Sequence, residues 1–120
     1  MKKSNYIAGQ WVEGTSSIKN INPSDTSETI DEYTSCTDEQ FEQAIQSAAT
    51  AQREWEKVGI EKKSQILIKI GDELIQKSKK IGELLSREEG KPLNEGIGEV
   101  ARAGQQFQYY GSCLLYTSDA

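Results

Sequence analysis

The sequence predicts an α/β fold in which a β-hairpin is followed by three amphipathic helices. Two observations lead to this prediction. The first is an apolar and aromatic segment over residues 6–12, interrupted by Gly9 where a tight turn fits. The second is the recurrence of apolar residues at helical spacing through most of the remaining chain, with one sharp interruption at the Gly-Lys-Pro sequence of residues 90–92.

The strand region comes first in the chain. Residues 6–12 and 18–21 give a two-strand pattern, separated by a loop rich in Gly, Ser and Thr. A lone hairpin is marginally stable in water, so Trp11 needs another element to cover it. The segment 22–25, Asn-Pro-Ser-Asp, predicts a turn, because proline restricts its own φ and pushes the preceding residue to an extended conformation. Residues 29–33 are only weakly β-like.

The first helix is predicted to begin after Thr37. Thr37 and Gln40 have the spacing of a capping box, and the acidic residues between them suit the positive end of the helix dipole. The helix is expected to run to about Lys57, with Gly59 ending it. Its apolar stripe consists of Phe41, Ala44, Ile45, Ala48, Ala51 and Trp55.

Two further helices are predicted on either side of Gly90. The second runs over about residues 61–89, and a bend is expected because Gly71 and Gly82 each weaken it by roughly 1 kcal/mol relative to alanine. Gly90 suits the C-terminal cap, and the proline two residues later prevents simple continuation. The third helix follows Glu95, and small residues such as Gly104 allow it to approach another element closely. The predicted face of the second helix is Ile66, Leu67, Ile70, Leu74, Ile81, Leu84 and Leu85.

Composition and charge exclude several classes of function. With 14 basic and 19 acidic residues the net charge is −5, which argues against a nucleic-acid partner because phosphate binding depends on clustered Lys and Arg. No segment has the apolar length of a membrane span or a signal peptide, so a cytoplasmic protein without a membrane partner is predicted. Cys36 and Cys113, with no histidine in the chain, indicate neither a disulfide framework nor a zinc site.

Four motifs together resemble one known family. They are Tyr6-Ile7-Ala8-Gly9-Gln10-Trp11-Val12, Ile21-Asn22-Pro23, Ala44-Ile45-Gln46-Ser47-Ala48-Ala49 and Glu88-Glu89-Gly90-Lys91-Pro92-Leu93-Asn94-Glu95. In this order they resemble the beginning of aldehyde dehydrogenases. The resemblance implies that residues 1–111 are the N-terminal part of an NAD(P)-binding domain, incomplete here, in an enzyme several-fold longer. From Ser112 it stops, and residues 112–120 are predicted to be a non-native tail.

The resemblance also implies a chemistry. Enzymes of this family oxidise aldehydes by thiolate attack, hydride transfer to NAD or NADP and hydrolysis of the thioester, which needs an activated cysteine, a base and oxyanion donors. No catalytic or cofactor-binding residue is assigned in this chain, and Cys36 is interpreted as structural or incidental. The aldehyde substrate, the nicotinamide cofactor and a homo-oligomer are therefore expected for the full-length enzyme, and the chain alone is expected to be inactive and to bind no cofactor tightly. Residues 86–92 and the Tyr-Tyr-Gly sequence of residues 109–111 resemble the bacterial semialdehyde branch, which includes α-ketoglutarate semialdehyde dehydrogenases.

One metal site is carried over from the resemblance. Some family members bind a monovalent cation through backbone carbonyls before the Asn-Pro turn and a carboxylate farther along the chain. The matching positions are Asn20, Ile21 and Glu99. The alternative is that Glu99 is simply a helix carboxylate, since an aspartate is common at that position in the family.

A second function class stays open at this point. Long amphipathic helices with charged outer faces are also typical of a small, non-catalytic interaction module that binds partners through a helical bundle. The predicted hairpin with Trp11 distinguishes the two hypotheses, because it has no use in a helical bundle and is expected in the dehydrogenase family.

Overall fold

The computed structural model describes residues 2–117, without the side chains of residues 2, 3, 115 and 117, and confirms the α/β class. The chain divides into two compact units, residues 1–57 and residues 58–120. The first unit contains β1 (Lys2–Lys3), β2 (Asn5–Ile7), β3 (Gln10–Val12), β4 (Ser16–Ile21), β5 (Thr29–Ser35) and α1 (Asp38–Glu56). The second unit contains α2 (Ile60–Gln76), α3 (Ser78–Glu89) and α4 (Leu93–Thr117). Within the described residues, no helix combines the length and apolar character that crossing a bilayer requires.

A β-hairpin is present, but it lies within residues 5–12, where β2 and β3 pair antiparallel, and β4 pairs with β5 rather than with residues 6–12. Its two loop residues, Ala8 and Gly9, both have positive φ, at 50° and 81°. Two-residue loops with positive φ at both positions match the right-handed twist of paired strands, so the turn predicted at Gly9 is confirmed. Opposite each other on the two strands, the rings of Tyr6 and Trp11 have centroids 4.9 Å apart.

A second sheet, with strand order β1-β5-β4, goes beyond the two-strand prediction. The segment expected to be weakly β-like is a seven-residue strand, β5, because it gains partners on both edges: β4 runs antiparallel to it and β1 parallel. Gly14 lies against the end of this strand, where an added Cβ would collide with the Ser35 carbonyl oxygen. Pairing with distant segments thus outweighs the weak local preference of β5.

The turn between β4 and β5 is organised by Asn22, which is buried. Its side-chain amide donates to the Glu28 carboxylate at 2.7 Å, and its side-chain oxygen accepts from the Ser24 amide at 2.9 Å. Its backbone amide donates to the Glu28 carbonyl at 3.1 Å. The side-chain oxygen of Asn22 therefore forms an Asx-type turn across Pro23, and the side-chain and backbone amides of Asn22 bind Glu28 at the other end of the connection.

Helix α1 begins as predicted. The amide of Gln40 donates to the Thr37 hydroxyl at 3.2 Å, and the amide of Thr37 donates to the Gln40 side-chain oxygen at 3.0 Å, which completes the capping box. The Gln40 side-chain amide also donates to the Glu13 carbonyl at 2.8 Å. The start of α1 is thereby tied to the loop that follows β3.

The long second helix of the prediction is two helices. The break falls at Lys77, whose φ of −95° and ψ of 6° leave the α-helical region, while its amide and carbonyl still bond to Glu73 and Ile81. The interruption lies at Lys77 rather than at Gly71 or Gly82, both of which lie inside helices. Two boundaries also differ: Gly59 is the N-terminal flank of α2, and α4 begins at Leu93 rather than after Glu95.

The glycines instead form a close-packed seam between the helices of the second unit. An added Cβ at Gly71 would lie 2.6 Å from the Gly104 carbonyl oxygen, and one at Gly82 would lie 2.5 Å from the Ile97 Cα. At Gly111 it would lie 3.1 Å from the Ser64 carbonyl oxygen. Because these positions have no side chain, the backbones of α2 and α3 approach α4 directly.

Helix α4 continues past residue 111 to Thr117, and Gly111 is buried in the seam. Inside the predicted tail, the Ser112 hydroxyl donates to the Gln108 carbonyl at 2.9 Å, and Cys113 and Leu114 are half-buried. The backbone is thus regular across the predicted boundary at residue 112. Residues 118–120 of the tail lie outside the described part of the chain, and the non-native origin of residues 112–120 stays a prediction.

Candidate functional site

The Gly-Lys-Pro loop between α3 and α4 ends one helix and begins the next. Gly90 adopts the left-handed conformation, with φ of 73°, and its amide donates to the Ser86 carbonyl at 2.8 Å. The Pro92 carbonyl accepts from the amides of Glu95 and Gly96 at 3.0 and 3.2 Å. The predicted C-terminal cap at Gly90 is confirmed, and the loop satisfies backbone groups that helix ends otherwise leave without partners.

Lys91 is the charged centre of this loop. Its ammonium group lies 2.5 Å from a carboxylate oxygen of Glu89 and 2.6 Å from one of Glu99, and its side chain is only 18% exposed. The hydrogen bonds to Glu89 and Glu99 raise the pKa of Lys91 above its ordinary value. The lysine therefore stays charged at neutral pH and links the end of α3 to the second turn of α4.

The sequence offered no means of finding this ion-pair cluster, because Glu99 is eight residues from Lys91 and a turn separates them. From the sequence alone, the Gly-Lys-Pro motif indicates a helix terminator and forms part of the family resemblance, and it assigns no partner to Lys91. Adjacent residues on a helix point in different directions, which argues against an acid/base pair at Glu88 and Glu89. Glu89 forms an ion pair with Lys91, which agrees with a structural role for Glu89.

The residues predicted to bind a monovalent cation fall in both units. Asn20 and Ile21 are the last two residues of β4, and the pairing with β5 is irregular between them. Glu99 lies on α4, where its carboxylate accepts from Lys91. Among the residues that the structure describes, no group of three or more His, Cys, Asp or Glu side chains is placed to hold a metal ion. The cation site stays a prediction.

The two thiols lie in different surroundings. Cys36 is exposed in the short connection between β5 and the Thr37 cap of α1. Cys113 is half-buried on α4, and its hydrogen bond and charge raise the pKa of the Tyr109 hydroxyl. A nucleophilic cysteine needs a neighbouring base or positive charge, and the residues next to Cys36 in the chain supply Asp38 and Glu39 instead.

Comparison with known proteins places the chain. Residues 11–118 match the aldehyde dehydrogenase family. This chain belongs to that family. Among its relatives, 1-pyrroline-5-carboxylate dehydrogenase 2 of Bacillus subtilis is 34% identical over 109 residues, covering 91% of this chain and 21% of the relative. The α-ketoglutarate semialdehyde dehydrogenase of Haloferax volcanii is 33% identical over 110 residues, covering 90% of this chain and 23% of the relative.

Solved structures agree with the family assignment. A NAD-dependent benzaldehyde dehydrogenase from Corynebacterium glutamicum superposes with a TM-score of 0.86 at 29% identity, covering 93% of this chain and 25% of the other. A betaine aldehyde dehydrogenase from Staphylococcus aureus, solved in complex with NAD⁺, gives 0.84 at 25% identity, covering 92% of this chain and 23% of the other. This aldehyde dehydrogenase chain therefore spans about a fifth of the length of the curated relatives it matches.

Proposed function

We propose that this chain forms the N-terminal part of an NAD(P)-dependent aldehyde dehydrogenase that oxidises an aldehyde or semialdehyde to the carboxylate. The observation that carries the proposal is the family match over residues 11–118, since it includes the Asn-Pro turn, the start of α1 and the Gly-Lys-Pro loop. The names of similar proteins support a semialdehyde as the substrate. They include α-ketoglutarate and malonate semialdehyde dehydrogenases, which are 29–35% identical to this chain.

In this proposal the chain serves as scaffold, and the groups that perform the oxidation lie outside it. The reaction needs a thiolate nucleophile, a base that activates water and donors that stabilise an oxyanion. Cys36 is exposed, and the hydroxyl of Thr37, the next residue in the chain, accepts the hydrogen bond that caps α1. The chain by itself is accordingly inactive and binds no nicotinamide cofactor tightly, while the full-length enzyme is a cytoplasmic homo-oligomer.

Burial supports the scaffold interpretation. Among the described residues, the buried large apolar side chains are Ile7 and Val100 alone. Helix α1 has no buried residue, and Phe41, Ile45 and Trp55 on its apolar stripe are 56%, 50% and 43% exposed. Exposed apolar surface of this extent is typical of a surface that meets another protein segment.

A chimera tests the proposal. The α-ketoglutaric semialdehyde dehydrogenase of Bacillus subtilis is 33% identical to this chain over 118 residues, which make up 24% of its length. Its matching segment is replaced by that of this chain, and reduction of NAD⁺ and NADP⁺ is followed with a panel of semialdehydes. We expect turnover by the chimera and none by the isolated chain. The matched control is the chimera carrying Gly82→Val, which should lose activity because the α3–α4 contact has no room for a side chain.

Two results would contradict the proposal. One is a folded, soluble chimera that binds the cofactor and oxidises none of the aldehydes. The other is aldehyde-dependent reduction of the nicotinamide by the isolated chain that disappears in a Cys36→Ala variant, since that result would assign the nucleophile to this chain.

A further inference from the structure

Lys91 differs from two other lysines whose ion pairs the structure describes. Lys57 and Lys77 each pair with one glutamate, three or four residues earlier in the chain, and their side chains are more than half exposed. Lys91 contacts two carboxylates, those of Glu89 and Glu99, and its side chain is largely covered. The Lys91 ammonium is therefore held more firmly than the ammonium of an exposed pair.

The backbone on both sides of Lys91 is fixed as well. Gly90 caps α3 in the left-handed conformation, and the Pro92 carbonyl accepts hydrogen bonds from two amides at the start of α4. A side chain on such a backbone samples few positions, so its ammonium is present beside Glu99 at a high effective concentration. A dissolved cation competes for the same carboxylate only at its bulk concentration.

The charge of Glu99 is already compensated within the chain. The Lys91 ammonium lies 2.6 Å from one oxygen of the Glu99 carboxylate, which is the distance of a charge-assisted hydrogen bond. Hydrogen bonds to Glu89 and Glu99 raise the pKa of Lys91, so the ammonium persists at neutral pH. A metal ion on the same carboxylate would lie close to this positive charge and be repelled by it. Glu99 therefore does not fit the part of a cation ligand.

We propose that the Lys91 ammonium takes the place of the monovalent cation at Glu99, so that the Glu99 carboxylate binds this chain's own lysine and neither potassium nor sodium. The inference rests on the proposed function, because the cation is implied only by the relation to aldehyde dehydrogenases. Lys91 then acts as a structural counter-charge that joins the loop to α4 without an ion from solution. The carbonyls of Asn20 and Ile21 lack the carboxylate that the predicted cation site requires.

The intact chain is sufficient for a test, since it contains all three residues predicted to bind the cation. The ¹³C NMR signal of the Glu99 side-chain carboxylate is followed while choline chloride is replaced by potassium chloride at constant ionic strength. In the unsubstituted chain this signal should stay in place. In Lys91→Met it should move and saturate, with potassium bound at least about tenfold more tightly than by the unsubstituted chain, because the competing ammonium is gone.

Lys77→Met is the matched control. It removes an ammonium that lies 2.8 Å from the Glu73 carboxylate, in the same helical unit, and Glu73 belongs to no predicted cation site. The Glu73 signal should therefore show no saturable response to potassium. Lys91→Arg keeps the positive charge and should behave like the unsubstituted chain. Circular dichroism checks the helix content of each variant, and Lys91→Gln repeats the measurement if Lys91→Met loses helix.

Three results would overturn the proposal. A saturable response of Glu99 in the unsubstituted chain would show that potassium shares the carboxylate with Lys91. An unchanged Glu99 signal in the folded chain without the Lys91 charge would show that there is no cation position for the lysine to occupy. An equal response of Glu73 in Lys77→Met would assign the effect to any carboxylate that loses its partner. These outcomes are independent of the chimera assay, because they require no catalysis.

Discussion

Helices α1 and α2 are both long and amphipathic, but they pack in different ways. Helix α1, of 19 residues, has a continuous apolar stripe and no buried residue. Helix α2, of 17 residues, is packed along a face that carries Ser64 and Gly71, while its larger apolar row stays open. An apolar stripe thus indicates that a segment is helical. Close packing between helices in this chain depends instead on positions without large side chains.

The largest effect on stability is expected from Gly71→Ala. The new Cβ would lie 2.6 Å from the Gly104 carbonyl oxygen and 3.1 Å from the Gln108 amide nitrogen, both backbone atoms. Since backbone cannot move aside locally, we expect a loss of about 2–3 kcal/mol in the free energy of unfolding. Urea unfolding of the intact chain followed by circular dichroism measures this loss.

The control is Gly98→Ala, on α4 of the same helical unit. Nothing lies within 4 Å of the position where its Cβ would be built. Alanine is a better helix former than glycine, so this variant should be more stable by about 0.5–1 kcal/mol. If both substitutions changed the free energy of unfolding equally, intrinsic helix propensity would explain both. That result would contradict close packing at Gly71.

Removal of the cap on α1 should have a smaller effect. Thr37→Ala deletes the hydroxyl that accepts from the Gln40 amide and should destabilise the start of α1 by about 1 kcal/mol. Hydrogen exchange should become faster over residues 38–42, with little change over residues 60–89. Thr37→Ser retains the acceptor and should behave like the unsubstituted chain; if it exchanges as fast as the alanine variant, the cap is not the cause.

Lys91 provides a pH-dependent test. Its pKa is raised in the folded chain above the ordinary 10.5, so its stabilising effect is fully present below that value and is lost as pH rises through the folded pKa. Lys91→Met should lower the urea midpoint at pH 8 by less than Gly71→Ala does, and the difference from the unsubstituted chain should shrink at higher pH. Lys57→Met, which removes an exposed pair at the end of α1, is the control and should change the midpoint little. A difference that stays constant with pH would assign the effect of Lys91 to packing.

The smallest effect is expected on the α1 stripe. Ile45 is 50% exposed, so Ile45→Ala should change the stability of the isolated chain by less than about 0.5 kcal/mol. In the chimera with the Bacillus subtilis relative, the same substitution should lower thermal stability more, because the scaffold proposal has the stripe covered there. Thermal unfolding of both proteins measures the two losses of stability. A large loss in the isolated chain would show that the α1 stripe is already packed within this chain.

Several features of the sequence predicted the structure correctly because their causes are local. The Thr37 capping box, the left-handed cap at Gly90 and the turn at Gly9 each depend on residues within a few positions. The break at Lys77 was missed because no strong turn signal marks it, and β5 was predicted only as a short, weakly β-like segment because its strand partners are distant in the chain. The ion pair of Lys91 with Glu99 was missed because the two residues are eight positions apart along the chain.

The sequence by itself determined the class of fold, most helix ends, the hairpin and the family, because each follows from short motifs and from their order. Only the tertiary structure decided which face of α2 packs. Gly71 meets Gly104 and Ser64 meets Gly111 across tens of residues, whereas a glycine in a helix is, judged locally, a weak point. The effect of such a glycine on stability changes sign when the backbone of a second helix packs into the space that a side chain would fill. Which backbone packs there is specified by the fold.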